Sequence, residues 1–425
     1  MSGGALLAMT GQPGDPTVLL SPPGAEILAR VASWHGVANG ASRGGSELAL
    51  AAALRREYPA DLAAAAMAQH ELRVAARAKF SDALAMLFTR GGYEQASPEV
   101  IARHQAARFG DARRVADLCC GIGGDLIALA SAADREVLGV DRDPVHARLA
   151  QYNAGVYGVG DRVRTCVADV RDIDVAGFDA VFIDPARRSD VRGKQASPGR
   201  FRAGMSEPPL DWCLALTGQV PAVCVKAAPG LPAELIPAGW EAEFIADGRD
   251  LKEAVLWSPA MATAAAVPAA GLRRATILPA GHTLVAVPGD PVPVSAPGEY
   301  LLDPNPAVTR AGLVEDLART IGAWKIDDQI AFLALNHEVT TPFARTLRVV
   351  YSAPWNEKHF AVKLRELGVG AADIRRRGLA GDVDQIHRRL KLAGPHRGTI
   401  VLTRVDDKPW GLICADPGTP LALGT

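Results

Sequence analysis

The chain has 425 residues, 48% of them apolar and 5% aromatic, with 46 basic residues against 47 acidic. At roughly 150 residues per domain this length holds two or three domains. The near-neutral balance excludes a uniformly basic coat for nucleic acid and leaves room for a local basic face. Gly and Pro number 42 and 30, together short of the roughly 25–30% that marks low-complexity disorder. Six cysteines lack any C-x-x-C pair and nine histidines lack H-x-x-x-H, so no metal is expected. Adjacent Cys119 and Cys120 speak against a disulfide framework and suit a cytoplasmic location. No apolar run reaches 18 residues, and the stretch 259–272 is broken by Pro268, so no membrane association is expected.

In chain order, residues 1–24 carry Gly, Pro and Ser without a period and read as a flexible tail. Residues 25–109 read as a helical region. Within it 61–80 is rich in helix formers, 81–90 continues the pattern up to Gly91-Gly92, and 97–109 starts with Ser97 as cap and Pro98 in the first turn. From Arg114 the rhythm becomes strand, loop, helix. Apolar runs at 114–120, 136–141, 163–169, 179–185 and 222–228 are separated by helical stretches such as 124–133 and 143–158. That alternation predicts a mainly parallel sheet covered on both faces. Runs at 253–258 and 274–287 would complete seven strands in a domain spanning 110–287. Four prolines within 288–297 predict a linker. Residues 298–425 read as a small α+β domain, with a helix near 306–324, strands at 345–352 and 398–405, and a helix at 384–394.

The strongest local signal is 115-VADLCCGIGGDLIALA-130. A strand leads through Asp117 into a turn where Gly121 and Gly123 permit close approach of backbone to ligand. The pattern is neither G-x-G-x-x-G nor a P-loop. An acid opening the turn favours a cationic ligand such as the sulfonium and amino group of S-adenosylmethionine. Asp141, 24 residues on, closes the next strand, where a carboxylate can accept from both ribose hydroxyls. Asp169 follows the third strand, in position to accept from an adenine amino group. At the fourth strand, 181-VFIDPARRSDVRGK-194 puts Asp184 and Pro185 at the tip. There they would position a methyl acceptor or cap the following turn. Lys226, ending the fifth strand, would reach the same mouth as a substrate contact or stand as a solvated lysine.

These residues resemble class I S-adenosylmethionine-dependent methyltransferases. The stretches 117-DLCCGIGGD-125, 141-DRDPVHARLAQYNAGVYG-158 and 93-YEQASPEVIARHQAARF-109 resemble the trimethylguanosine synthase branch in particular. The resemblance implies a Rossmann-like α/β fold. It implies that Asp117, Gly121 and Gly123, with Cys119 in the same turn, hold the methionine part, Asp141 the ribose and Asp169 the adenine edge. That branch has a Pro-Pro-aromatic motif at the fourth strand. Here Asp184-Pro185-Ala186-Arg187 has neither the second proline nor the ring, and Arg187 would supply a guanidinium that can also stack on a base. The stretches 300–314, 366–378 and 398–405 are similar to the THUMP-like domain of bacterial methyltransferases.

Two stretches depart from neutrality. Arg187, Arg188, Arg192, Lys194, Arg200 and Arg202 face Asp190 alone within 187–202, and eight basic residues oppose four acidic ones within 365–397. The first follows the catalytic strand, where Arg188, Arg192 and Lys194 would meet a phosphate backbone. The function expected is methylation of RNA, rRNA or tRNA, at a base nitrogen, with Asp184, Pro185 and Arg187 at the chemistry. A small-molecule or protein methyltransferase, and a non-catalytic module binding RNA and S-adenosylmethionine, stay open as alternatives.

Overall fold

The structure is a computed structural model that describes residues 15–38, 47–132, 134–187, 206–263, 271–379 and 381–419. By compactness the chain divides into Met1–Ala227 with Leu256–Thr263, and Ala228–Val255 with Ala264–Thr425.

The first unit opens with a 3-10 turn at Pro16–Leu20, capped by Asp15, so the last part of the expected tail is ordered onto the helices through buried Leu19. Helices α1 (Pro22–Ala38), α2 (Glu47–Glu57), α3 (Ala60–Ala76), α4 (Arg90–Gln95) and α5 (Glu99–Ala107) follow. The stretch 81–89 is not helical. It turns and then continues without regular structure, with Met86, Leu87 and Phe88 all fully buried, which one face of a helix cannot do with three consecutive residues. Its backbone is satisfied by side chains. Gln69 on α3 exchanges two hydrogen bonds with Phe88 (2.6 and 2.9 Å), and Arg73 Nε donates to Met86 O at 2.7 Å.

Strands and helices then alternate: β1 (Arg114–Leu118), α6 (Gly124–Ala130), β2 (Glu136–Asp141), α7 (Pro144–Val156), β3 (Val163–Val167) and β4 (Ala180–Ile183). A short hairpin of β5 (Ala186–Arg187) and β6 (Ser206–Glu207) precedes α8 (Leu210–Ala215) and β7 (Ala222–Ala227). Strands β7-β4-β1-β2-β3 pair in parallel in that order. Val, Ile, Leu, Phe and Ala dominate β1, β2, β4 and β7, as strands covered on both faces require, whereas the edge strand β3 is buried only at Val163. All their C-terminal ends therefore lie along one edge, with the strand order reversing beside β1, where open α/β sheets bind ligands.

The sheet as a whole is nine-stranded and mixed, in the order β11-β10-β8-β9-β7-β4-β1-β2-β3, rather than the expected seven mainly parallel strands. The added strands are β8 (Glu241–Asp247), β9 (Asp250–Trp257), β10 (Leu272–Leu278) and β11 (His282–Val285). Two causes account for the difference. The expected single run 274–287 breaks at Pro279-Ala280-Gly281, giving antiparallel β10 and β11. Strand β8 escapes notice because it starts Glu-Ala-Glu, which reads as exposed. Both glutamates are buried and bonded to β10: Arg274 Nε lies 2.7 Å from Glu241, and Thr276 Oγ1 donates to Glu243 at 2.5 Å.

The second unit carries a separate seven-stranded sheet, order β13-β14-β12-β15-β18-β17-β16. Its elements are β12 (Tyr300–Pro304), α9 (Pro306–Ala311), α10 (Val314–Ile321), β13 (Trp324–Lys325), β14 (Leu333–Leu335), β15 (Ala344–Pro354), α11 (Glu357–Glu366), β16 (Val369–Arg376), α12 (Val383–Leu390), β17 (His396–Val405) and β18 (Lys408–Ala415). The helix expected over 306–324 is two, divided at Gly312, whose φ of 69° ends α9 in the left-handed region. Alternation along β17 serves both faces. Ile400 and Leu402 pack with Phe360, Leu364, Ile386 and Leu390 from α11 and α12, while Val401 packs with Ile326, Ile330 and Phe332. The Pro-rich 288–297 stretch is tied to this unit, with Ser295 N donating to Lys325 O and Lys325 N to Pro293 O, each at 2.9 Å.

Candidate active site

Asp117, Cys119, Gly121, Gly123, Asp141, Asp184 and Pro185 lie in or directly after β1, β2 and β4. Strand β1 lies between β2 and β4, with Asp117 opposite Gly139 on one side and Phe182 on the other. After Leu118 the chain turns sharply: Cys119 has φ 66°, Gly121 φ 53° and Gly123 φ 91°, and Gly123 caps α6. A Cβ on Gly123 would lie 3.0 Å from Ala150 Cα of α7, so this glycine is needed for packing as well as for its angle. Gly121 differs. A Cβ there would meet no protein atom within 4 Å, leaving the turn open on that side.

Asp141 holds the turn. Its Oδ2 accepts from Gly121 N and its Oδ1 from Asp143 N, both at 2.9 Å. A carboxylate retains lone pairs beyond these two bonds. Cys119 is half-buried, and burial with the neighbouring carboxylates Asp141 and Asp184 pushes its thiol far up, so it is no nucleophile. Cys120 is packing: its sulfur would be 3.2 Å from a Cβ placed on Gly139.

Asp117 is 1% exposed, and neither carboxylate oxygen has a hydrogen-bond partner among the described residues. Burial raises its pKa well above the usual carboxylate range, and the charges of Asp125 and Asp184 raise it further, against a smaller lowering by Lys226. A buried acid without partners, beside an open glycine turn, fits a ligand that brings positive charge and hydrogen-bond donors.

Asp184 follows β4, anchored by its N–H to Leu118 O (3.1 Å), and Pro185 behind it is buried. Lys226 at the end of β7 is 8% exposed. Its Nζ donates to Asp184 Oδ2 at 2.6 Å, Ser97 Oγ at 2.8 Å and Asp125 Oδ2 at 3.1 Å. Sequence reasoning missed Ser97 and Asp125 here. The helix cap at α5 is Pro98, one residue later than expected, and the Ser97 hydroxyl turns to the lysine instead. Asp125 reads only as a helix-start acid, which gives no hint of a partner 101 residues away.

Asp169 lies two residues beyond the end of β3 and is 44% exposed. It caps the turn Val170–Asp172 through Arg171 N at 3.0 Å, so its bonds are local. Arg171 in turn pairs with Glu207 of β6, linking that turn to the hairpin after Asp184. Arg188, Arg192 and Lys194 lie outside the described residues, as does the side chain of Arg187. Among the described residues no group of three His, Cys, Asp or Glu could hold a metal ion, and no helix is long and apolar enough to cross a membrane.

Over 324 residues the chain is 36% identical to a protein of Mycobacterium tuberculosis, strains CDC 1551 and H37Rv, named as an S-adenosylmethionine-dependent methyltransferase. The match covers 75% of this chain and 85% of that protein. The chain belongs to the S-adenosylmethionine-dependent methyltransferases. Residues 112–195 match the family described as RNA cap guanine-N2 methyltransferase, residues 344–416 a THUMP domain-like family, and residues 15–76 a domain family of unknown function. The fold of this methyltransferase is that of a crystal structure from Porphyromonas gingivalis W83, also assigned as a methyltransferase. The TM-score is 0.70 at 19% identity, over 92% of this chain and 98% of that one. The cofactor of the methyltransferase is S-adenosylmethionine, as the activity of the family it belongs to requires.

Proposed function

We propose that this enzyme methylates an amino nitrogen of a base in RNA. The observation that carries the reading is Asp184: one carboxylate oxygen is held by Lys226, and Oδ1 has no protein donor among the described residues. An open carboxylate oxygen at this strand tip suits an N–H donor better than a carbon acceptor. Accepting that hydrogen bond orients the nitrogen lone pair and gives its proton somewhere to go. Carbon methylation through a cysteine nucleophile finds no support at Cys224, two residues before Lys226 on β7, which is fully buried. The description of the family matched over 112–195 supports the same acceptor chemistry.

In this reading Asp117, Cys119, Gly121 and Gly123 cradle the methionine part of the cofactor, Asp141 takes the ribose hydroxyls and Asp169 the adenine edge. The cofactor supplies an electrophilic methyl group on its sulfonium. Asp184 and Pro185 position the acceptor, and Arg187 stacks on the base or meets a phosphate. Residues 110–287 serve cofactor and chemistry, and 298–425 serve RNA.

Support for an RNA surface comes from the second unit. Asp303, 3% exposed, accepts from Arg249 at 3.0 Å and Arg377 at 2.9 Å, while Arg375 and Arg376 stand exposed beside them in the chain. Arginines fixed by a buried acid are pre-organised for phosphate. The test compares methylated nucleosides from wild-type and gene-deleted cells by mass spectrometry. One modified nucleoside should vanish and return with the wild-type gene but not with Asp184→Ala. Identical profiles across rRNA and tRNA would overturn the assignment to stable RNA.

A further inference from the structure

We propose that Lys226 is a positioning residue, with Ser97 and Asp125 as its supports, that fixes Asp184 with one oxygen turned toward the methyl acceptor. The inference rests on the reading of Asp184 as the acceptor-facing group.

An ammonium has three donors. All three of Lys226 are matched, by Ser97 Oγ, Asp125 Oδ2 and Asp184 Oδ2, and the side chain is 8% exposed. It has no donor left to offer a substrate, so its role differs from the direct contact expected at the strand end. The three partners come from three places. Asp184 follows β4, Asp125 is the second residue of α6, and Ser97 lies in the connection between α4 and α5. That connection is itself fastened: Lys79 Nζ donates to Tyr93 O at 2.7 Å and to Ala96 O at 2.8 Å. Close packing at Gly124, where a Cβ would lie 3.5 Å from the Phe80 ring and 3.7 Å from Ala96 Cβ, seats it against the start of α6. The helical region therefore reaches Lys226, at the end of β7, through the Ser97 hydroxyl.

The groups facing Lys226 are acids: Asp125 from α6, Asp184 after β4, and Asp117 from β1 within range of its charge. A lysine desolvated among acids costs folding free energy that an apolar side chain would not. What it does in return is local. It ties up Oδ2 of a carboxylate whose side chain is otherwise 36% exposed and free to rotate, so that Oδ1 keeps one direction.

The test uses the full-length enzyme and two cofactor analogues in calorimetry. S-adenosylhomocysteine lacks the methyl group, and sinefungin carries an amine in its place. In the wild type sinefungin should bind about tenfold more tightly, as a charge-assisted hydrogen bond to Asp184 predicts. Asp184→Asn should erase the preference. Lys226→Met should cut it to about twofold or less, and the milder Ser97→Ala, which keeps the lysine, to about threefold. With RNA as acceptor, Lys226→Met should lower kcat about 100-fold and leave the RNA KM within about twofold. If Asp184→Asn erases the preference while Lys226→Met and Ser97→Ala, both folded, keep or increase it, Lys226 does not position Asp184 and the proposal falls alone. Should Asp184→Asn leave the preference intact, the acceptor-facing reading of Asp184 falls, and the proposal with it.

Discussion

The backbone N–H of Gly121 donates to Asp141 Oδ2 at 2.9 Å, so one carboxylate both shapes the glycine turn after β1 and stands at the end of β2. Asp141→Ala removes the turn's anchor together with the carboxylate proposed to accept from ribose. A charged hydrogen bond contributes about 1.5–3 kcal/mol, so S-adenosylmethionine affinity should fall roughly 10–100-fold. Isothermal titration calorimetry measures it directly. Unchanged affinity would remove Asp141 from the cofactor site.

Gly121→Ala separates folding from binding. The residue has φ 53° and open space where a Cβ would sit, so the cost to the fold is about 1–2 kcal/mol of left-handed strain. The methyl group would occupy the space proposed for the cofactor. Affinity for S-adenosylmethionine should drop at least tenfold while the urea midpoint moves little. A large stability loss with normal affinity would place the cofactor elsewhere.

Cofactor binding should release a proton. Burial, reinforced by Asp125 and Asp184, raises the Asp117 carboxyl, while a cationic ligand favours its ionised form. Affinity should therefore climb as pH rises toward the raised value. The sign for the unliganded fold is opposite. A carboxyl raised on folding contributes stability that is complete below its unfolded value of about 3.9 and is lost as pH rises through the folded value. Thermal unfolding against pH, with and without S-adenosylmethionine, reads both slopes. Asp117→Asn should flatten the unliganded slope and weaken binding; an unaltered slope would assign it to another group.

Asn153 is fully buried on α7 and accepts from Leu87 N while donating to Leu87 O and Ile122 O. Asn153→Ala would strand three backbone groups, at about 1–3 kcal/mol for each group left unsatisfied and not rescued by water. The urea midpoint should fall by the equivalent of about 2–4 kcal/mol. Because Ile122 belongs to the glycine turn, cofactor affinity should weaken too. A stability change under about 0.5 kcal/mol would mean that water replaces the amide.

Glu241→Ala should be equally damaging in the second unit. Glu241 is fully buried beside Arg274, and breaking a buried pair on one side costs about 3–5 kcal/mol. Replacing both residues with apolar ones should recover most of it. A double variant no better than the single would show that the pair does more than satisfy its own charges.

Much of the site was legible because it is local. The order strand, acid, glycine turn, helix is written within 115–130, and the left-handed angles at Gly121 and Gly123 fall on the residue type that adopts them at least cost. The Asn and Tyr of 153-NAGVYG-158 were read only as part of a family pattern. In the structure their side chains are braces, Asn153 to Leu87 and Ile122, Tyr157 to Glu99 at 3.1 Å.

By itself the sequence determined the parallel α/β core, the places of Asp117, Asp141 and Asp184 at β1, β2 and β4, and the cofactor, since hydrophobic period, turn chemistry and charge sign are properties of neighbouring residues. Tertiary structure alone decided which charges are buried and who their partners are. Glu241 and Glu243 look like solvent-facing residues until β10 supplies Arg274 and Thr276. Lys226 looks like a solvated strand-end lysine until Ser97, 129 residues away, closes over it. The free energy of a buried charge depends on groups brought together by the fold, and no window of sequence contains them.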